Sequence, residues 1–377
     1  MKNSIFILTD WYSPGFRAGG PIQSCVNLVN ALKDSYEVSV LTSDKDFSEK
    51  KSYAEIESDI WMSNNGVKIY YASNRKLKSL FPLRFLKGDI DILYLNSMFS
   101  VRFTLLPLLY LKLGLISFKK VILAPRGMLG SGAIEIKKTK KRIFLFFANI
   151  FDLYKNVIFH ATREQEKLDI LVHFPKSEIN VIPNISAINV INKGIKKNPK
   201  DLKLISVARV SLGKKTLYLL ELMSQLPDNF SVTLDIYGSI NDFDYFEKCK
   251  KKVRNIQKNI IINFCLPVPH NELMMLLKQY HFFILPTPGE NFGHAIAESL
   301  SSGLPVIISD QTPWHNLIEA NAGWEISLQS QEEFLKILEK AYWMGNIEYQ
   351  EMRQCAFKYF MVRSNTEELI NSYNKFF

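Results

Sequence analysis

Two carboxylates separated by seven residues stand in the segment Glu290-Asn-Phe-Gly-His-Ala-Ile-Ala-Glu298, which runs on into Ser299-Leu-Ser-Ser-Gly303-Leu-Pro305-Val-Ile-Ile. An apolar run, Phe282-Phe-Ile-Leu285, precedes it. The local order is therefore strand, loop, helix, Gly-Pro turn, strand. Glu290 falls in the loop, and Glu298 about two turns along the helix. Ligands of open α/β sheets bind beyond the carboxyl ends of the strands, where such a loop lies. Ionised carboxylates accept hydrogen bonds from hydroxyls, so this pair suits a polyhydroxylated ligand.

Three further segments carry candidate chemistry. Ser206-Val-Ala-Arg209-Val-Ser-Leu-Gly213-Lys214-Lys215-Thr216 follows a strand and opens a helix. Amides at a helix start, joined by two or three cations, form an anion site, and Arg offers phosphate oxygens a bidentate fork. Tyr12-Ser-Pro14-Gly15-Phe-Arg17-Ala-Gly19-Gly20-Pro21 lies between the first strand and the first helix, where glycines let the backbone approach a ligand. Its spacing is neither a dinucleotide fingerprint nor a P-loop. Ala124-Pro125-Arg126-Gly127-Met128-Leu129 ends another strand of the first half.

Together these motifs resemble those of the retaining glycosyltransferases of family 4. The resemblance covers essentially the whole chain and is strongest in the second half. It implies the GT-B fold, an α/β architecture of two Rossmann-like parallel-sheet domains facing across a cleft. It implies that Arg209 and Lys214 hold the donor diphosphate and stabilise it as it leaves. Glu290 would hold hydroxyls of the transferred sugar, and Glu298 the ribose diol. The backbone at Phe292 and Gly293 would approach sugar or phosphate. Gly238 and Thr312 belong to the same implied donor site, Thr312 within a Gln311-Thr-Pro-Trp314 string similar to a loop that closes over the donor base. Gly19 and Gly20 resemble the family's Gly-Gly-Pro loop at the reaction centre. Arg126 resembles the arginine of a Pro-Arg-Gly-Met-Leu signature, aimed at acceptor or phosphate. His160-Ala-Thr162-Arg-Glu164 resembles a strand-to-helix step that sets a Glu near the cleft, although a helix capped by Thr162 accounts for the same residues.

One departure bears on mechanism. Asn96-Ser97 stands where many family members carry a His. Asn96 can hydrogen-bond an acceptor hydroxyl but cannot take its proton. That fits front-face retention, in which the leaving phosphate receives the proton. Two alternatives are a nucleotide-sugar 2-epimerase on the same scaffold and a non-catalytic nucleotide-sugar-binding partner subunit. The first needs general acids and bases that the first half does not display. The second is at odds with the four intact residues Arg209, Lys214, Glu290 and Glu298.

The elements that must position these groups follow from the alternation of short apolar runs with helical patterns in both halves of the chain, which argues for parallel sheets covered on both faces. We divide the 377 residues into an acceptor-binding domain over 1–186 and a donor-binding domain over 187–359. The polar, basic stretch from Ile185 to Lys200 reads as the linker. By resemblance, a last helix over about 360–377 crosses back onto the first domain.

Of 47 Lys and Arg and 37 Asp and Glu, 26 and 17 lie up to Ser186, leaving a nearly neutral 21 and 20 beyond it. The basic excess is densest at Lys137-Lys-Thr-Lys-Lys-Arg142, directly before Ile143-Phe-Leu-Phe-Phe147. A basic cluster beside an apolar stretch suits an anionic membrane surface, and equally a solvated helix start beside a core-facing helix. No aromatic-interleaved RNA motif or zinc finger supports nucleic acid as a partner. The resemblance and the basic first half imply a nucleotide-sugar donor and a lipid-linked saccharide acceptor, as in assembly of lipopolysaccharide or capsule. The expectation is a cytoplasmic protein, peripheral on the inner face of the cytoplasmic membrane where its acceptor is lipid-linked. The N-terminal apolar run is too short for a signal peptide, and no stretch reaches the length of a membrane span.

No cofactor and no metal are expected. Cys25, Cys249, Cys265 and Cys355 form no CxxC pair, and the histidines are scattered. Free thiols suit a reducing compartment. Asp89-Ile-Asp91 precedes a strand and Asp242-Phe-Asp244 opens a helix, so neither reads as a cation site.

Overall fold

A computed structural model of the chain describes residues 2–78, 85–86, 90–130, 133–134, 138–186 and 194–377. Asp89, Lys137 and residues 187–193 of the expected linker lie outside the described residues. The chain divides into two units. One comprises residues up to Ile185 together with Thr366–Phe377, and the other Ser186–Asn365.

The first unit is built on eight strands: β1 (Ser4–Thr9), β2 (Glu37–Ser43), β3 (Trp61–Asn64), β4 (Val67–Ala72), β5 (Ile92–Asn96), β6 (Lys120–Leu123), β7 (Ile158–Ala161) and β8 (Ile179–Val181). Their order in the sheet is β3-β4-β2-β1-β5-β6-β7-β8. All neighbours run parallel except β3 and β4. That pair is a hairpin closed by Asn65 and Gly66, with φ of 49° and 81°, the backbone that a two-residue Asn-Gly turn adopts. The four residues of β3 carry no apolar alternation, so no pattern in the sequence marks this strand.

Side chains alternate across this sheet with the period of two that a strand imposes. Phe6, Leu8, Leu93 and Leu95 enter one core layer, while Ile5, Ile7, Ile92 and Tyr94 enter the other. The helices are α1 (Gly20–Leu32), α2 (Asn74–Lys78), α3 (Leu106–Lys112), α4 (Lys138–Ile150) and α5 (Glu164–His173). α3 continues from a π-helical turn over Val101–Leu105. Leu108, Leu145 and Ile170, from α3, α4 and α5, pack on the first layer. α1 packs on the second with Cys25, Leu28, Val29 and Leu32.

The second unit holds β9 (Leu202–Val207), β10 (Val232–Tyr237), β11 (Ile260–Cys265), β12 (Phe282–Leu285), β13 (Val306–Ser309) and β14 (Gly323–Ile326). All are parallel, in the order β11-β10-β9-β12-β13-β14. The chain builds outward from β9 to one side, then crosses to β12 and builds outward to the other. The gap between β9 and β12 is therefore the point where the winding reverses, the usual ligand position in such sheets. Its helices are α6 (Thr216–Met223), α7 (Phe243–Arg254), α8 (His270–Leu276), α9 (His294–Ser301), α10 (Gln331–Trp343) and α11 (Asn346–Ser364). Helices α6, α7 and α10 cover one face, while α8, α9 and the later turns of α11 cover the other.

A final helix, α12 (Thr366–Phe376), belongs to the first unit and packs beside α1. Tyr373 is 1% exposed, and its hydroxyl donates to the carbonyl of Pro183 at 3.0 Å. Removing a buried aromatic ring costs about 3–5 kcal/mol. Tyr373→Ala should lower the stability of the first unit by that amount and leave the second unit's transition in place, as read by calorimetry of the whole chain.

Candidate active site

In the second unit, β9 and β12 are neighbours at the point where the winding reverses, so the loops that leave their carboxyl ends flank one gap. The loop after β9 passes through Arg209 and closes in a short 3-10 turn over Leu212–Lys214 before α6. The loop after β12 carries Glu290 and ends at Gly293, which precedes α9. Lys214 Nζ and Glu290 Oε1 lie 2.5 Å apart, although 76 residues separate them in sequence. Both side chains are mostly sheltered, at 20% and 15% exposure. Arg209 is exposed, and its guanidinium makes no hydrogen bond or ion pair among the described residues.

Gly293 has φ of 79°, a conformation that disfavours any Cβ. A Cβ there would also press on Ile296 Cδ1 at 3.0 Å and Trp314 Nε1 at 3.3 Å. No side chain caps α9, so the positive end of its dipole follows directly on Glu290-Asn-Phe-Gly. Trp314 Nε1 donates to the carbonyl of Phe292 at 2.7 Å, which holds that loop from behind. Trp314 is itself buried, and Thr312 Oγ1 accepts its backbone N–H at 3.3 Å. Thr312 is only 1% exposed, so its hydroxyl shapes the loop from inside.

Glu298 lies one turn and a little further along α9 than its first residue. Its Oε1 sits 3.1 Å from Nδ1 of His270, the first residue of α8. The hydrogen bond to Glu298 raises the His270 pKa against the opposing effect of burial. Nothing in the sequence pairs these residues, since His270 is an isolated histidine. Gly238, after β10, has a packing role. A Cβ there would meet the carbonyl oxygen of Ala208 at 1.9 Å. Asp242 caps α7 by accepting Tyr245 N–H at 2.9 Å.

In the first unit the winding reverses between β1 and β5, and the motif residues gather at the carboxyl ends of those strands and of β6. Arg126 Nε donates to Asn96 Oδ1 at 2.7 Å, and Arg126 Nη2 to the Tyr94 hydroxyl at 2.9 Å. Nη1 also contacts Asn184 Oδ1. Asn96 Nδ2 donates in turn to Thr9 Oγ1 at 3.1 Å and more weakly to the Pro21 carbonyl at 3.4 Å. Asn96 is 3% exposed. Its amide thus ties β1, the start of α1 and Arg126 together. Gly19, with φ of 67°, and Gly20 form that start, with Pro21 in the first turn.

Arg126 has φ of 56°, a region that a side chain rarely occupies unless its surroundings impose it. The imposing group is Glu166. Its Oε1 accepts Gly127 N–H at 2.6 Å, and its Oε2 accepts the N–H and hydroxyl of Thr162 at 2.7 and 2.8 Å. Sequence reasoning singled out Glu164, but that side chain is 71% exposed and pairs with Lys167. Helix α5 takes Arg163 as its N-cap residue, and Thr162 donates to Glu166 without capping. The hidden carboxylate is Glu166, 1% exposed. The only sequence signal for it was a Glu four residues after a Thr.

A cleft of about 510 Å³ opens at the loops after β1 and β5, lined by Asp10, Trp11, Ser100 and Arg102 together with the apolar Leu77 and Phe103. Ser100 Oγ donates to Asp10 Oδ1 at 2.7 Å, and burial raises the Asp10 carboxyl above its ordinary value. Asp91 is spoken for elsewhere, accepting Ser4 N–H at 2.8 Å and pairing with Lys119 at 2.6 Å. Among the described residues no three His, Cys, Asp or Glu side chains gather in a group that could hold a metal ion.

Residues 188–358 match the family model described as glycosyl transferases group 1. A search of the curated proteins finds no match. Among solved structures, the sucrose-phosphate synthase from Thermosynechococcus elongatus is similar over 100% of this chain and 98% of its own, at 14% identity and a TM-score of 0.74. HepE from Anabaena, in complex with UDP and glucose, is similar over 100% and 99%, at 13% identity and a TM-score of 0.69. WaaG, a glycosyltransferase involved in lipopolysaccharide biosynthesis, is similar over 97% and 96%, at 14% identity and a TM-score of 0.59. The chain has the GT-B fold. Within it, the second unit carries the match to the group 1 glycosyltransferases.

Two outcomes follow from this geometry. Gly238→Ala should cost the second unit about 1–3 kcal/mol, because a backbone carbonyl cannot yield as a side-chain tip does; a melting temperature equal to wild type refutes the packing role. The second concerns His160, 1% exposed, whose Nδ1 faces the Tyr94 hydroxyl at 2.7 Å and whose Nε2 faces the Ile182 carbonyl at 2.9 Å. Burial, helped by the Arg126 charge, holds its pKa down to about 3 from 6.5. The unfolded ring takes up a proton below 6.5 while the folded ring stays neutral, so stability present above 6.5 is lost progressively toward about 3. His160→Gln should flatten that part of the stability profile of the first unit in denaturant titrations at stepped pH.

Proposed function

We propose that this chain is a retaining glycosyltransferase of family 4. It moves a sugar from a nucleoside diphosphate donor to a saccharide acceptor that is lipid-linked, in assembly of a surface polysaccharide. The Lys214–Glu290 contact at the reversal point of the second sheet carries the reading. It puts a cation for phosphate and a carboxylate for hydroxyls side by side, next to a helix start without a side-chain cap. An ammonium has three donors. Glu290 takes one, leaving two for diphosphate oxygens, while the second Glu290 oxygen accepts from the transferred sugar. Exposed Arg209 adds a planar fork on the same loop. Glu298, held by His270 at 3.1 Å, takes the ribose hydroxyls in this reading. The match of residues 188–358 to group 1 glycosyltransferases supports this assignment, and the mixed lining of the cleft at Asp10, with Trp11 beside Asp10, Ser100 and Arg102, is compatible with a saccharide acceptor.

In the proposed step the acceptor oxygen bonds to the anomeric carbon on the face from which the phosphate departs. The bond from that carbon to the phosphate oxygen breaks, and the acceptor proton passes to the departing phosphate. No side-chain base is needed. Arg209 and Lys214 stabilise the charge that grows on the diphosphate, which is often the largest contribution to catalysis. Binding and orientation supply the rest.

Glu290→Ala and Lys214→Ala should each lower sugar transfer by at least about 100-fold, roughly 2.7 kcal/mol of barrier, while the melting temperature stays near wild type. The donor is found first by thermal shift against a panel of nucleotide-sugars, since a ligand that binds only the folded chain raises its melting point. Transfer should be unaffected by a divalent-metal chelator and should keep the anomeric configuration of the donor. Turnover equal to wild type in either variant removes the site assignment.

A further inference from the structure

Helix α4 is apolar on two opposite sides. Leu145 and Ala148 face the core of the first unit, each 4% exposed. Ile143, Phe146, Phe147 and Ile150 recur at i, i+3, i+4 and i+7, the spacing of a single helix face, and are 54%, 62%, 49% and 57% exposed. Phe151, 58% exposed, extends the stripe and stacks on Phe147. Lys112, at the end of α3, donates to the carbonyl of Phe151, which brings Leu113, 62% exposed, to the same edge. Scattered exposed apolar residues need no explanation, but a contiguous aromatic stripe does.

The charges on α3 and α4 are all of one sign, and Asp152, directly after Phe151, is an exposed acid at the far end of the stripe. Lys140 and Arg142 lie on the preceding turn, exposed and without an ion pair among the described residues. Neither α3 nor α4 contains an acidic residue, and between Val101 and Phe151 the sequence holds one acid, Glu135. This decides between occupants. A symmetric dimer would lay the patch against its own copy and set like charges face to face. An anionic lipid surface satisfies both halves of the pattern, taking the aromatic rings at the headgroup boundary and the cations at the phosphates. The helix has 13 residues, too few to span a bilayer, and no helix of the described residues is long and apolar enough to do so.

We infer that the α4 face, with Phe146 and Phe147 at its centre and Lys140 and Arg142 at its rim, docks the protein flat on an anionic membrane surface. This goes beyond the transfer reaction and does not depend on it. The test is co-sedimentation of the full chain with vesicles of phosphatidylcholine alone or with about one third phosphatidylserine, where the anionic vesicles should bind at least about tenfold more tightly, less so at high salt. Phe146→Glu with Phe147→Glu should weaken that binding by about tenfold or more, and Lys140→Glu with Arg142→Glu should abolish the preference for anionic lipid. All four side chains are exposed, so unchanged melting temperatures establish that both variants fold. Transfer to a water-soluble acceptor, where it is measurable, should be unchanged in both, which separates loss of docking from loss of catalysis. Equal binding of wild type to neutral and anionic vesicles overturns the inference. So does wild-type binding by the phenylalanine variant, or a dimer in sedimentation velocity that this variant dissociates.

Discussion

A parallel sheet buried on both faces obliges every strand to leave by the same edge. That constraint places the chemistry in each unit of this chain. Because helices must return the chain to the opposite edge, all loops that follow strands collect along one side. Where the winding reverses, two adjacent strands send their loops apart, and a gap opens between them. In the second unit these strands are β9 and β12, and their loops deliver Lys214 and Glu290 to one another. In the first unit they are β1 and β5, and the corresponding loops deliver Asp10 and Ser100. Hydrophobic alternation along the strands is therefore what brings together residues far apart in sequence.

Topology brings the loops near, and buried polar groups set their conformation. Glu166 is the clearest case. A carboxylate withdrawn from water needs its oxygens satisfied, and it meets that need with the amide of Gly127 and two donors of Thr162. The same bonds hold the left-handed backbone at Arg126 and Gly127. Arg126 then engages Asn96, Tyr94 and Asn184, and the Tyr94 hydroxyl faces His160. Since Tyr94 accepts from Arg126, its own proton points to Nδ1, which leaves Nε2–H of His160 to donate to Ile182. Charge, hydroxyl and imidazole thus form a chain with a defined direction, running from the loop after β6 to the strand-end carbonyls after β8.

The fold was largely legible because its signals are local. Runs such as Phe282-Phe-Ile-Leu285 are short, apolar and bounded by turn residues, and they became buried parallel strands. The strand β3 was not legible, since an edge strand with exposed Trp61, Ser63 and Asn64 has only one neighbour to pack against. Among the candidate residues, Glu290 and Lys214 were legible because each belongs to a motif with its own spacing. His270 and Glu166 were not. Their partners lie across a helix interface or a tight turn, and no periodicity records a contact of that kind. Asn96 was noticed for what it lacks, a titratable proton, whereas its place in the structure comes from what it has. An amide can donate and accept at once, so it joins β1, α1 and Arg126 at one point.

Two of the cations after β9, Arg209 and Lys214, differ in a way that their chemistry explains. Lys214 sits in a 3-10 turn, sheltered and held by Glu290, whereas Arg209 is exposed on the approach to that turn. An ammonium is a compact charge whose value depends on being held at a defined place. A guanidinium is planar and can meet two oxygens of one phosphate from a mobile position. In the proposed reaction the held cation and its carboxylate partner define where sugar and diphosphate join, and the free guanidinium follows the phosphate as charge accumulates on it. Exchange of the two would disturb both functions: an arginine at 214 would bring a bulkier fork against Glu290, and a lysine at 209 would give a point charge without a second donor aligned to the phosphate. The pair is thus asymmetric in the structure, one cation sheltered and held by a carboxylate, the other exposed.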